Sequence, residues 1–304
     1  MRWRKLGQVF APDNNFPWLV SHAANPFAVN TGGGLFRVYF TGRDTQSRSN
    51  IGALTIDMED SFKVTELFPE PIITPGEPGI FDDSGTAMGY YIEIRQVPHI
   101  YYLGWNLKKT VPWLNTIGLA KFDAATCRFQ KTSRAPVMDR SDEDPFSISY
   151  PSILFENGVY RMWYGSNLQW GALQHEMNHV FKYAESEDGI NWKRSGRVVV
   201  DLMHPNEYAL SKPFVIKKEG TYHMWYSYRG NGAVETYRIG YAGSVDGMNW
   251  QRKDDEAGID VSAEGWDSEM ICYPCIFDYN NNTYMLYNGN GYGRTGFGIA
   301  ILEK

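Results

Sequence analysis

The sequence predicts an all-β fold: a five-bladed β-propeller with four-stranded blades, its ring closed by the N-terminal strand joining the C-terminal blade. Three observations predict it. A motif returns about every sixty residues, as Tyr160-Arg-Met-Trp-Tyr-Gly, Tyr222-His-Met-Trp-Tyr-Ser and, more loosely, Tyr284-Met-Leu-Tyr-Asn-Gly. The first two copies each lead to a third strand and then to a turn of one pattern, Ser186-Glu-Asp-Gly-Ile-Asn-Trp192 and Ser244-Val-Asp-Gly-Met-Asn-Trp250. The last copy stops after its third strand, at Gly296-Phe-Gly-Ile-Ala-Ile-Leu-Glu303, and the missing piece stands at the other end of the chain as Trp3-Arg-Lys-Leu-Gly-Gln-Val-Phe10. Repeats of this length with four strands each mark propellers, and a last repeat that borrows its outer strand from the first residues makes a ring with few free edges.

The elements follow in order. Blade one has Asn25-Pro26-Phe27, then Leu35 to Arg43, then Ile51-Gly-Ala-Leu-Thr-Ile. Blade two has Ser84-Gly-Thr-Ala-Met, Ile100 to Trp105 and Thr116-Ile-Gly-Leu-Ala-Lys. Blades three, four and five have their innermost strands around Pro151, Pro213 and Pro274. The whole of 1–304 reads as one domain.

Composition agrees with this. Aromatic residues make up 15% of the chain, with 30 Gly, 20 Tyr and 10 Trp, which suits aromatic strands joined by glycine turns. The net charge of −6 argues against a nucleic-acid partner, which wants a basic face. No apolar run approaches a membrane span, and Met-Arg-Trp-Arg-Lys-Leu-Gly lacks the apolar stretch of a signal peptide, so the expected location is cytoplasmic. Three cysteines, an odd number, fit a reducing compartment. Cys272 and Cys275 form a C-x-x-C without a second pair, and read as small buried apolar residues rather than a metal or redox site.

His175-Glu-Met-Asn-His179 matches H-E-x-x-H, but zinc binding by that motif needs both histidines on one helix face. Here the segment lies between the second and third strands of blade three. No metal and no cofactor are expected.

Aligning the repeats places acids upstream of the innermost strands: Asp82 and Asp83 in blade two, Asp142, Glu143 and Asp144 in blade three, Glu207 in blade four and Glu269 in blade five. Blade one has His22 and Asn25 there. Innermost strands line the central channel, so these acids would face one another across one funnel, where mutual repulsion and desolvation split their pKa values into an acid and a base. Two carboxylates flanking a bond are the standard equipment for cleaving a glycoside. The catalytic candidates are Asp83, Glu207 and Glu269. For Asp142 and Glu143 a turn-capping role is the expectation. Arg43 and Arg229 follow the second strands of their blades and Arg294 follows Asn288, which suggests recognition of a carboxylate or phosphate. Asp44, Trp105, Asp144, Tyr228 and Asn288 complete the substrate-binding candidates, with the aromatic faces available to a sugar ring.

With the repeats placed, the whole chain resembles the five-bladed β-propeller glycoside hydrolases, the arabinanases, xylosidases and invertases (families 32 and 43), and the related mannoside phosphorylases. The residues that carry this are the two S-x-D-G-x-x-W turns, the Tyr-x-Met-Trp-Tyr strands and Trp266-Asp-Ser-Glu-Met270. The resemblance implies axial carboxylates, with a base or nucleophile on blade one. This chain departs there, reading His22-Ala-Ala-Asn25-Pro26 where invertase-like members have an aspartate. A phosphorylase scheme needs one protein acid, because phosphate attacks and basic residues hold it. An inverting hydrolase with Asp83 as base and Glu207 or Glu269 as acid, a water between them, is the other scheme, and an anionic sugar held by the arginines is a third possibility. The expected partner is thus a small carbohydrate, with phosphate as the acceptor under the phosphorylase scheme. The rival class is a non-catalytic propeller that binds a sugar or a protein on its face.

Overall fold

The structure is a computed structural model that describes residues 1–171, 173, 176–230 and 235–303. These residues form twenty strands and almost no helix. The strands come in antiparallel meanders. The first is β2 (Ser21–Gly32), β3 (Leu35–Arg43), β4 (Ser49–Asp57) and β5 (Lys63–Leu67). The second is β6 (Gly85–Ile94), β7 (Val97–Leu107), β8 (Trp113–Asp123) and β9 (Arg128–Lys131). The third is β10 (Ile148–Glu156), β11 (Val159–Asn167), β12 (His179–Ser186) and β13 (Lys193–Val200). The fourth is β14 (Ala209–Lys218), β15 (Thr221–Arg229), β16 (Arg238–Ser244) and β17 (Gln251–Arg252).

The fifth unit has three consecutive strands, β18 (Cys272–Tyr279), β19 (Asn282–Asn288) and β20 (Phe297–Leu302), and its fourth is β1 (Trp3–Phe10), antiparallel to β20 with Trp3 opposite Leu302. Single parallel pairs, Ser49 with Gly85 and His179 with Ala209, join the first unit to the second and the third to the fourth. The leading strands pack in succession: β2 on β6, β6 on β10, β10 on β14, β14 on β18, and β18 back on β2. No helix among the described residues is long and apolar enough to cross a membrane.

The two S-x-D-G-x-x-W turns are self-contained caps. Asp188 Oδ1 accepts the N–H groups of Ile190 and Asn191 at 2.8 Å each, and Asp246 Oδ1 does the same for Met248 and Asn249. Their tryptophans then lock neighbouring units together. Trp192 packs edge-on against Tyr101 of the second unit, and Trp250 against Trp163 of the third.

A buried acid staples four of the units. Asp82 takes Tyr102 OH at 3.1 Å and Lys131 Nζ at 2.6 Å. Asp144 takes Tyr164 OH at 2.8 Å and Arg194 Nη1 and Lys182 Nζ at 3.0 Å. Asp267 takes Tyr287 OH at 3.0 Å and Lys5 Nζ at 2.7 Å. In the fourth unit Glu207 takes Arg252 through both oxygens at 2.8 Å. Each acid ties the loop before its leading strand to the outermost strand of the same sheet. The first unit replaces this staple with an apolar one: Trp18 packs over Phe40 at 6.0 Å, in space that Gly52 leaves open.

Candidate functional site

Every leading strand breaks register at a matching place, Ala24/Phe27, Met88/Tyr90, Ser149/Ser152, Ser211/Phe214 and Cys272/Cys275, and β2 does so twice more, at Ser21/Ala24 and Asn30/Gly32. In four strands the bulge holds the residue before a proline, with φ of +54° at Asn25, +34° at Tyr150, +54° at Lys212 and +58° at Tyr273. Positive φ is unfavourable for such residues, and a bulge re-aims the side chain it carries. The re-aimed groups meet. Asn25 Nδ2 lies 3.4 Å from Tyr150 OH, the Tyr150 and Tyr273 rings are 5.8 Å apart, and Lys212 Nζ donates to Gly89 O at 2.8 Å. Gly89 is the second unit's member of the set, and a Cβ there would lie 2.5 Å from Tyr101 O.

Beside this convergence lies a cavity of about 430 Å³. His22, Asn25, Arg43, Trp105 and Arg229, all among the sequence candidates, line it. So do Trp113, Tyr150, His179, Tyr237, Tyr273 and Tyr292, with Thr41, Asn115, Ser149 and Ser211 adding polar edges. No carboxylate lines it among the described residues.

The cavity's charge is set by its cations. Arg229 is 5% exposed and forms no ion pair among the described residues; its Nη1 donates to Tyr292 OH at 2.5 Å, and the Tyr208 and Tyr237 rings lie 5.0 and 4.5 Å from its guanidinium carbon. Burial, with Arg43 and then Arg294 nearby, lowers the His22 imidazole to about 4. Burial and Arg229 lower His179 to about 4. Both rings are therefore neutral at pH 7, and His22 Nδ1 shares a hydrogen bond with Ser21 Oγ at 2.9 Å. Asn25 is fixed from behind: its N–H donates to Asn288 Oδ1 at 2.8 Å, and Asn288 Nδ2 in turn holds Ala23 O and Gly296 O. Asn25 Oδ1 is buried and has no hydrogen-bond partner among the described residues.

The remaining sequence candidates lie off the lining. Asp83 is a turn cap. Burial opposes its charge, but the Gly79 N–H, the Asn106 amide and the Ser84 hydroxyl hold its carboxyl below the usual range. Asp44 caps the N–H groups of Gln46 and Arg48 and pairs with the Arg48 guanidinium at 3.0 Å. Asp144 and Glu207 are staples. Glu207 also borders a second depression with His204, Asn206 and Tyr208. Tyr228 stands 5.8 Å from the Arg252 guanidinium. Glu269 and Arg294 are exposed, and Glu269 N–H and C=O, not its carboxylate, make its hydrogen bonds, to Asn290 Oδ1 and from Thr236 and Arg238.

The repeat equivalent of Glu207 in the fifth unit is Asp267, which stands where the staple does, rather than Glu269. Glu143 bonds to Ser141 Oγ in its own turn. Cys272 and Cys275 are free, buried and straddle the bulge. His175 lies outside the described residues. His179 begins a strand, not a helix, and among the described residues no group of three or more His, Cys, Asp or Glu could hold a metal ion.

Comparison with known proteins places this geometry. No protein-family model matches the chain. The chain is 46% identical over 304 residues to the uncharacterized protein Rv1502 of Mycobacterium tuberculosis (strain ATCC 25618 / H37Rv), covering 100% of both. Over 147 residues it is 26% identical to the 1,2-beta-oligomannan phosphorylase of Thermoanaerobacter sp. (strain X514), covering 44% of this chain and 48% of that one. Among solved structures, a glycoside hydrolase superposes with a TM-score of 0.80 at 15% identity, over 99% of this chain and 92% of that one. A member of the GH130 family of mannoside phosphorylases, from work on glycoside hydrolases that target beta-1,2 mannosidic linkages in Candida mannan, superposes with a TM-score of 0.67 at 15% identity, over 99% and 93%. The chain belongs to the family of Rv1502, and its fold is that of the solved glycoside hydrolase structures.

Proposed function

We propose that the protein is a carbohydrate-active enzyme acting on a glycosidic bond of a small sugar that bears an anionic group, bound in the cavity beside the bulges. The observation that carries this reading is the lining itself: arginines without acid partners among the described residues, neutral histidines, indole and phenol faces, and hydroxyl and amide edges. Trp105 and Trp113 offer flat apolar faces to the C–H side of a sugar ring, and Asn25 Oδ1 offers a free acceptor to a hydroxyl. Arg229 and Arg43 suit a carboxylate or phosphate. The relation to an oligomannan phosphorylase and to glycoside hydrolase structures supports the sugar. We read residues 1–304 as one five-bladed propeller closed by β1; the cyclic packing of the leading strands supports that reading.

Among Asp83, Glu207 and Glu269, we assign the proton donor to Glu269. The other two carboxylates are held by structural hydrogen bonds or an ion pair, whereas that of Glu269 is exposed, one residue from Met270, whose Sδ accepts the N–H of the cavity-lining Tyr292. A single acid matches phosphorolysis. A phosphate oxygen bonds to the anomeric carbon, the glycosidic C–O bond breaks, and Glu269 gives its proton to the departing oxygen. The lack of a lining carboxylate among the described residues favours a second reading, a non-catalytic sugar-binding propeller.

The test is calorimetric titration and product analysis with neutral sugars, uronic acids and sugar phosphates, with and without inorganic phosphate. Phosphate-dependent product that disappears in Glu269→Gln supports the enzyme. Binding without product in any combination supports the second reading.

A further inference from the structure

Lys212 is a buried charge for which the proposed reaction has no use. It is 1% exposed and its ammonium donates to Gly89 O at 2.8 Å. No carboxylate pairs with it among the described residues. An ammonium has three N–H groups, and sealing one from water without an anion is costly. A chain that needed only to fill this space would use a leucine or methionine. Lys212 is held here, moreover, by a backbone at φ +54°, which a side chain normally avoids. Its Nζ sits 5.9 Å from the centroids of both the Phe27 and Tyr150 rings. Tyr150 and the adjacent Ser211 belong to the cavity wall, so one aromatic ring separates this cation from the cavity.

We propose that Lys212 is a specificity-determining residue of the cavity, whose unpaired ammonium acts across the Tyr150 ring to select anionic over neutral sugars. This rests on the anionic-sugar reading above. Lys212 does not touch the ligand; it acts through the field it adds to that of Arg43 and Arg229. The titratable groups beside it are the Cys275 thiol from β18 and the Tyr150 phenol from β10, and Tyr90 of β6 follows in the chain the Gly89 that Lys212 bonds. Burial pushes Cys275 up to about 11 and Tyr150 up to about 12, and raises Tyr90 as well, so none carries a negative charge at neutral pH. Burial also lowers Lys212 to about 8. The charge is thus present at pH 7 and is lost as the pH rises through 8.

The experiment is calorimetric titration of wild type, Lys212→Met and Arg229→Met with sulfate, whose charge is constant across this pH range, and with glucuronate and glucose. The expected result is that Lys212→Met weakens sulfate and glucuronate by about tenfold or more and leaves glucose unchanged. Wild-type sulfate affinity falls between pH 7 and 9, and Lys212→Met lacks that step. Sulfate binding that Arg229→Met abolishes and Lys212→Met leaves intact overturns the role of Lys212 alone. Wild type that binds glucose but neither anion overturns the anionic-sugar reading and this proposal together. Should Lys212→Met fail to fold, the wild-type titration decides, and a flat profile from pH 7 to 9 overturns the proposal.

Discussion

Arg252 grips Glu207 with both terminal nitrogens, each bond 2.8 Å, and both side chains are sealed from solvent. Asp82, Asp144 and Asp267 occupy matching places in their own units with their own bases, which identifies the acid as part of the scaffold.

Breaking a buried pair from one side leaves an uncompensated charge. Glu207→Gln is therefore expected to destabilise the protein by about 3 kcal/mol or more while sugar binding in the cavity persists. Thermal unfolding and titration measure the two effects. A variant of wild-type stability that no longer turns over substrate would return Glu207 to catalysis.

Glu269→Gln is expected to behave in the opposite way. The residue is exposed, so stability should stay within about 0.5 kcal/mol of wild type. Product formation should fall by about a hundredfold or more, the usual loss when a general acid is removed. Stopped assays on the substrate found by the panel check this.

Gly52 faces Trp18 so closely that an added Cβ would lie 2.0 Å from its ring. Gly52→Ala is expected to cost about 1–3 kcal/mol by overpacking, although the substitution adds one methyl group. Urea unfolding of the variant gives the value directly.

His22 and His179 have folded pKa values near 4, below the ordinary 6.5. Between pH 6.5 and 4 the unfolded chain therefore holds more protons than the folded one, so stability falls as the pH drops through that window. The loss is at most about 3 kcal/mol for the buried His179 and less for the partly exposed His22, whose charge water screens. Denaturant unfolding at pH 7, 5 and 4 should show it, and His179→Gln should remove part of the slope.

The strands were readable because the repeat fixes them. Tyr160, Tyr222 and Tyr284 all fall on second strands, and the missing outer strand of the fifth unit pairs where the sequence placed it. The cysteine pair is buried and free as expected. The acids were harder, because distance to the nearest proline aligned Glu207 with Glu269. A better ruler was present: Asp82, Asp144 and Asp267 each stand 20 residues before the tyrosine they bind, a spacing that hydrogen bonding enforces and prolines do not. Tyr150, Lys212 and Tyr273 also carried a signal, since each precedes a proline as Asn25 does. His179 and Trp113 carried none, because only the packing of separate sheets brings them to the cavity.

The pairing of β1 with β20 also has a mechanical side. Trp3 stands opposite Leu302 and Phe10 opposite Phe297, so the chain enters and leaves this pair at the same end. A force drawing Trp3 and Leu302 apart would peel the hydrogen bonds one by one instead of shearing them together. The seam that joins residues 262 apart at Lys5 and Asp267 would then open one hydrogen bond at a time under such tension.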